Sequence, residues 1–264
     1  MDVYLIAAFL GLVEGLTEFL PVSSTGHLVL LVDLLHFQAP PGKAFEIVIQ
    51  LGAILAVCVV YWRRLLAAAT GMFHVPRQRA FVRNILIAFL PAMVVGALAY
   101  PMIRRMLDSP LVVAVALVVG GIAILVIERL VREPRHADID EFSAGLALRI
   151  GLVQLLSMVP GVSRSGATIM GALMMGVERK AATEFSFFLA IPTMVGATAY
   201  SIYKNHAELS FDDAGLIAIG FSVAFVSAML VVRTAVAFIG RHGFAPFAWY
   251  RIIVGTTMLV LLLA

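Results

Sequence analysis

The sequence predicts an all-α integral membrane protein arranged as an inverted-topology repeat of two halves, and three observations predict it. First, 62% of its residues are hydrophobic and only 13% charged, about half the charged share of an ordinary soluble domain. Second, six apolar stretches each come close to the ~20 residues that a helix needs to cross hydrocarbon. Third, two other apolar regions are interrupted by Pro, Gly, Ser and Thr, and one is a copy of the other. A mean hydropathy of +1.02 points the same way.

In chain order, the first interrupted region runs over about residues 3 to 37 and carries charges in its middle. Irregular backbone at membrane depth survives only where protein or a wet cavity satisfies its polar groups, so this region reads as a re-entrant or broken helical hairpin. Asp2, with no basic stretch before the apolar start, predicts no cleavable signal peptide. Transmembrane helices follow over roughly 44 to 62, 84 to 103 and 110 to 128. A second broken hairpin covers about 144 to 177, and spans over 184 to 203, 214 to 232 and 246 to 263 complete the chain. The single cysteine, Cys58, lies in an apolar run and excludes an internal disulfide. The whole of 1 to 264 reads as one membrane domain with halves of about 1 to 140 and 141 to 264.

The copy is visible at a constant offset of 140 residues. GLVEGLTEFLPVSSTG at 11 to 26 lies over GLVQLLSMVPGVSRSG at 151 to 166 with seven identities in sixteen, glycines and a serine among them. Glu14 meets Gln154, Ser24 meets Arg164, and Phe45 falls on Phe185. One hairpin and three spans per half make an odd number of crossings, so the second half enters from the opposite side. Basic residues then set the orientation. With the spacer after the first span inside, twelve Lys and Arg lie inside: Arg63, Arg64, Arg77, Arg79, Arg83, Arg129, Arg132, Arg135, Arg179, Lys180, Arg233 and Arg241. Four lie outside: Lys43, Arg104, Arg105 and Lys204. Hairpin one then opens to the exterior and hairpin two to the cytoplasm, their tips meeting near the bilayer midplane. The net charge of +3, with arginines in short spacers, implies no nucleic-acid partner.

The chemistry-bearing residues sit in the two hairpins. Glu14 and Glu18 stack one helical turn apart. A charge at the bilayer centre costs roughly 2.5 to 3.5 kcal/mol on insertion scales, so two ionised carboxylates there need a proton or a cation between them. PVSSTGH, residues 21 to 27, is a helix start: Pro21 ends one helix, and Ser23 or Ser24 caps the next. Such a start, with Ser23, Ser24, Thr25 and Gly26 on it, is a ready anion site. His27, three after Ser24, is within reach of its proton or of a bound oxyanion. PGVSRSGAT, residues 160 to 168, repeats the pattern with Arg164, whose fork suits phosphate oxygens, among the donors Ser163, Ser165 and Thr168. Arg164 is also a natural ion-pair partner for Glu14 or Glu18. Glu46 and Gln50, one turn apart in a span, read equally as support for the site and as interhelical glue. Arg251 reads as snorkelling to the cytoplasmic interface.

With EGLTEFLPVSSTGH and PGVSRSGAT in order and in separate halves, the chain resembles the undecaprenyl-diphosphatase family of the UppP or BacA type, the bacitracin-resistance enzymes, over essentially its whole length. The resemblance implies hydrolysis of undecaprenyl diphosphate to the monophosphate and inorganic phosphate, recycling the lipid carrier of peptidoglycan synthesis. It implies a multi-pass protein of the bacterial plasma membrane with its active site open to the periplasmic side. It implies a divalent cation, magnesium or calcium, and Glu14 and Glu18 are the residues assigned to that metal or to its bound water. Its functional residues fall on Glu14, Glu18, Ser24, Thr25, His27, Ser163 and Arg164. The expected partners are the prenyl diphosphate lipid and membrane lipid; a homodimer is compatible with them. For the attacking atom, Ser24 with His27 as base leads, with His27 itself and metal-activated water as alternatives. A secondary transporter or flippase of a phosphorylated prenyl lipid is the second functional reading. An acid-phosphatase-type mechanism ranks lower, because His206 and His242 fall in loops away from an arginine-rich motif.

Overall fold

The computed structural model describes residues 2–37, 44–107, 109–131, 133–205 and 214–263. Lys43, Arg132 and His206 lie outside the described residues. Among these, eleven α-helices and two 3-10 turns carry the chain; the one β feature is an isolated bridge between His136 and Val177. Hairpin one is α1 (Val3–Thr17) and α2 (Ser24–Leu34). Then come α3 (Ala44–Val60), α4 (Trp62–Gly71), α5 (Pro76–Leu107) and α6 (Pro110–Leu130). Hairpin two is α7 (Ala144–Gln154), a 3-10 turn at Leu155–Met158 and α8 (Arg164–Met174). The chain ends with α9 (Arg179–Asn205), α10 (Ala214–His242) and α11 (Ala245–Leu263).

The fold is therefore that of an all-α integral membrane protein. Among the described residues, α5, α6, α9, α10 and α11 are long and apolar enough to cross a bilayer, and α3 joins them as a sixth when taken with α4. The expected loop over 63 to 83 is instead helical: the chain bends by 75° after α3 and continues as α4. The bend falls where Arg63 and Arg64 end the apolar run. Arg64 then pairs with Asp140, and Arg77 pairs with both Asp138 and Asp140, its Nε 2.6 Å from the latter. This network pins the 3-10 turn Ile139–Glu141 beneath α4 and α5. A proline suits the first position of a helix, and α5 starts at Pro76 rather than near 84; its 32 residues extend about 48 Å.

Helix packing is reciprocal between the segments related by the 140-residue offset. α1 lies along α10 and α7 along α5; α3 contacts α10 and α9 contacts α5; α6 pairs with α11. Two repeat-matched glycines permit the first of these pairings. A Cβ at Gly11 would stand 3.0 Å from the carbonyl carbon of Gly220, and one at Gly151 only 2.7 Å from Cα of Ala88. Any larger residue would push α1 off α10, or α7 off α5. Phe45 and Phe185, also repeat-matched, are both fully buried. The main core runs from Phe19 through Val57, Ile150, Phe187 and Leu189 to Ala235.

Candidate active site

Both hairpins restart in the same way. Ser23 and Ser163 adopt positive φ, 71° and 74°, a region that non-glycine residues occupy at a cost. Each serine caps the helix it precedes: Ser23 Oγ accepts from the Gly26 N–H at 3.3 Å, and Ser163 Oγ from the Gly166 N–H at 3.1 Å. The first residues inside those helices are Ser24 and Arg164. The predicted break at Pro21 comes earlier: α1 stops at Thr17, although Glu18 keeps helical dihedrals and donates its N–H to the Glu14 carbonyl at 2.9 Å. The two carboxylates consequently remain stacked.

Glu18 is where the two hairpins meet. Its Oε2 accepts from Ser24 Oγ, and its Oε1 from Arg164 Nη2 at 3.2 Å. One carboxylate thus bridges the repeat-matched first residues of α2 and α8. A helix C-terminus disfavours a carboxylate, whereas two helix starts favour it. Arg164 reaches further: its Nη1 donates to the Ser186 carbonyl at 2.8 Å, and its guanidinium carbon lies 5.9 Å from the centre of the Phe19 ring. Glu14 is 1% exposed, and its Oε1 has no hydrogen-bond partner among the described residues. Gln154, its counterpart, is also buried; its Oε1 accepts a long bond from Thr193.

The remaining predicted residues divide. Ser165 Oγ donates to the Leu20 carbonyl at 2.7 Å and lies 3.0 Å from Ser163 Oγ, tying hairpin two to hairpin one. Thr168 bonds Ser186 Oγ at 2.7 Å and the Arg164 carbonyl at 2.9 Å. Thr25 is half-buried on the first turn of α2, and Gly26 is packed under Val113, where a Cβ would stand 3.2 Å from its methyl. His27 does not face Ser24. Its Nδ1 sits 2.7 Å from the Ser23 carbonyl, and its Nε2 2.7 Å from the Tyr250 hydroxyl, with the two rings stacked. Because Nδ1 faces an acceptor it carries the proton, which leaves Nε2 to accept from Tyr250. The expected Ser24–His27 couple is thus replaced by Ser24–Glu18, and His27 turns to α11.

Sequence reading missed three participants. Ser186 holds Arg164 and is the repeat match of Glu46, so the 140-residue offset offered a signal. Tyr250 offered none. Arg251 does not snorkel: it is 1% exposed, and its donors are spent on main-chain carbonyls. A groove of about 580 Å³ between α1 and α10, lined by Leu12, Leu16 and Val226, is apolar and is separate from this polar cluster.

Fold and site together define a polytopic helical membrane protein whose two broken hairpins converge on a buried carboxylate, an arginine and two helix starts. The chain matches the family model described as bacitracin resistance protein BacA over residues 7–257. It is 64% identical over 257 residues to undecaprenyl-diphosphatase 2 of Paramagnetospirillum magneticum, covering 97% of this chain and 98% of that one. It is 59% identical to the undecaprenyl-diphosphatase of Sphingopyxis alaskensis, over 93% of each chain, and 53% identical to that of Caulobacter vibrioides, over 99% and 98%. The chain belongs to the BacA bacitracin resistance family.

Proposed function

We propose that this protein hydrolyses undecaprenyl diphosphate to undecaprenyl phosphate and inorganic phosphate, recycling the lipid carrier of the bacterial cell wall. The observation that carries the proposal is Glu18, shared between Ser24 and Arg164 at the starts of α2 and α8. Phosphoryl transfer needs positioning and charge neutralisation above all. Arg164 supplies a fixed positive fork for the phosphate oxygens, and the two helix starts add N–H donors. Both carboxylates and Ser24 are buried, so the Glu18–Arg164 pair must open to admit the diphosphate.

In the proposed reaction Ser24 Oγ attacks the terminal phosphorus as its proton passes to Glu18 Oε2. The anhydride P–O bond breaks, undecaprenyl phosphate leaves, and water then cleaves the phosphoserine to release inorganic phosphate and restore the hydroxyl. Support for Glu18 as base, rather than His27, comes from the Ser24–Glu18 hydrogen bond and from the engagement of both His27 ring nitrogens elsewhere.

Magnesium or calcium fits the acidic side of this site. The buried Glu14 Oε1, without a hydrogen-bond partner among the described residues, is an oxygen that a cation would satisfy, and Glu18 lies one turn away. No group of three His, Cys, Asp or Glu suited to a metal occurs among the described residues, so Glu14 and Glu18 would hold the ion together with substrate oxygens. When bound, the ion neutralises charge on the diphosphate. Ser163, Ser165 and Thr168 support Arg164 and the join between hairpins more directly than they offer free donors.

We further infer that the two halves form an inverted repeat, which the exchange of packing partners between α1–α10 and α7–α5 supports, and that the site opens to the periplasmic side of the plasma membrane, which the distribution of basic residues supports. Release of phosphate from the purified protein in detergent tests the hydrolase reading. A transporter would bind the same lipid and release none.

A further inference from the structure

We propose that Arg251 is a positioning residue that sets the distance between the two half-sites. This rests on the hydrolase reading for its kinetic readout. Arg251 emerges from α11 and donates to five main-chain carbonyls on three segments. Nη1 binds Pro21 at 3.1 Å and Val162 at 3.0 Å. Nη2 binds Gly161 at 2.8 Å and Ala116 at 3.1 Å, and Nε reaches Leu117 at 3.3 Å.

Pro21 and Gly161 are repeat-matched at the 140-residue offset, so one guanidinium grips the same carbonyl in both copies of the motif. Each lies two residues before the strained cap, Ser23 or Ser163, and three before Ser24 or Arg164. Among the described residues no carboxylate pairs with Arg251; carbonyl dipoles alone hold its charge. The planar fork is what permits this, because five fixed N–H directions meet carbonyls of two loops and of α6 simultaneously. Gly161 meets its share with φ at 92°, and α6 makes room with Gly120, where a Cβ would stand 2.7 Å from the guanidinium carbon.

Lysine offers a point charge with three donors and cannot bridge both loops to α6. Arg251→Lys is therefore expected to leave a folded protein whose kcat per folded molecule falls about 100-fold, the scale associated with an ångström of misplacement. Gly120→Ala, which crowds the guanidinium from outside the site, is expected to lower kcat in the same sense by a smaller factor. Both are compared with wild type in phosphate release from a prenyl diphosphate in detergent, normalised to the monodisperse fraction. Addition of guanidinium to Arg251→Ala is expected to restore part of the activity, and methylammonium is not. Wild-type kcat per folded molecule in Arg251→Lys, whether or not the yield of folded protein drops, overturns the proposal and makes the residue one of folding alone. If wild type releases no phosphate, the hydrolase reading fails instead; equilibrium binding of the same lipid then decides, and unchanged affinity in Arg251→Lys overturns the positioning role.

Discussion

At the scale of single residues, the site is a shared-acceptor problem: Glu18 receives Ser24 and Arg164 at once, and Glu14 has an oxygen with no hydrogen-bond partner among the described residues. Glu18→Gln keeps the shape but replaces one acceptor oxygen with an amide donor, and removes both the base and the charge that holds Arg164. Turnover is expected to fall by roughly 10³-fold, within the range for loss of a positioned base, while the thermal midpoint in detergent stays within a few degrees. Arg164→Lys can still reach Glu18 but not the Ser186 carbonyl as well, so phosphate release is expected to drop by about 100-fold or more. Near-wild-type activity in the lysine variant would reduce Arg164 to a counter-ion. Ser24→Ala separates the routes to phosphorus. Acid quenching of wild type during turnover is expected to trap phosphoserine at position 24, and the alanine variant to trap none and turn over none. Substantial hydrolysis without Ser24 would hand the attack to water.

At the scale of helices, α1 and α7 are placed by Gly11 and Gly151 against the backbones of α10 and α5. Gly11→Val is expected to cost about 1–3 kcal/mol through overpacking, read as a lower midpoint, and to cut activity further because α1 carries both carboxylates. Gly145→Ala, whose Cβ would meet nothing nearer than Ser143 Oγ at 4.0 Å, is the near-neutral control. Much of this layout was legible in the sequence. Hydrophobic length located the spans, interruptions by Pro, Gly, Ser and Thr located the two hairpins but not the early stop of α1 at Thr17, and the 140-residue offset paired Ser23 with Ser163 and Ser24 with Arg164. What escaped has a physical reason in each case. The α4 helix follows a bend fixed by ion pairs between residues more than sixty apart in sequence. His27 and Arg251 are decided by contacts across 223 and 230 residues, which no local spacing encodes. For Arg251 the default for an arginine near a membrane end, snorkelling, lost to five buried carbonyls.

At the scale of the molecule, two inferences remain open to direct test: sidedness and metal dependence. His74 lies in the turn just before α5, and Arg104 in the last turn of α5 at its other end. In a Cys58→Ser background, a membrane-impermeant maleimide applied to intact cells is expected to label Arg104→Cys and to spare His74→Cys; the reverse pattern would invert the orientation. Removal of divalent ions by a chelator is expected to abolish phosphate release, with magnesium or calcium restoring it in wild type and not in Glu14→Ala. Glu18, bridging the two half-sites, is expected to drive phosphate release from a prenyl diphosphate. Inorganic phosphate released from undecaprenyl diphosphate by purified wild type and Glu18→Gln, side by side in detergent, tests this. Steady release by wild type and a loss of about 10³-fold in the variant are expected; equal rates in the two proteins would remove Glu18 from the reaction.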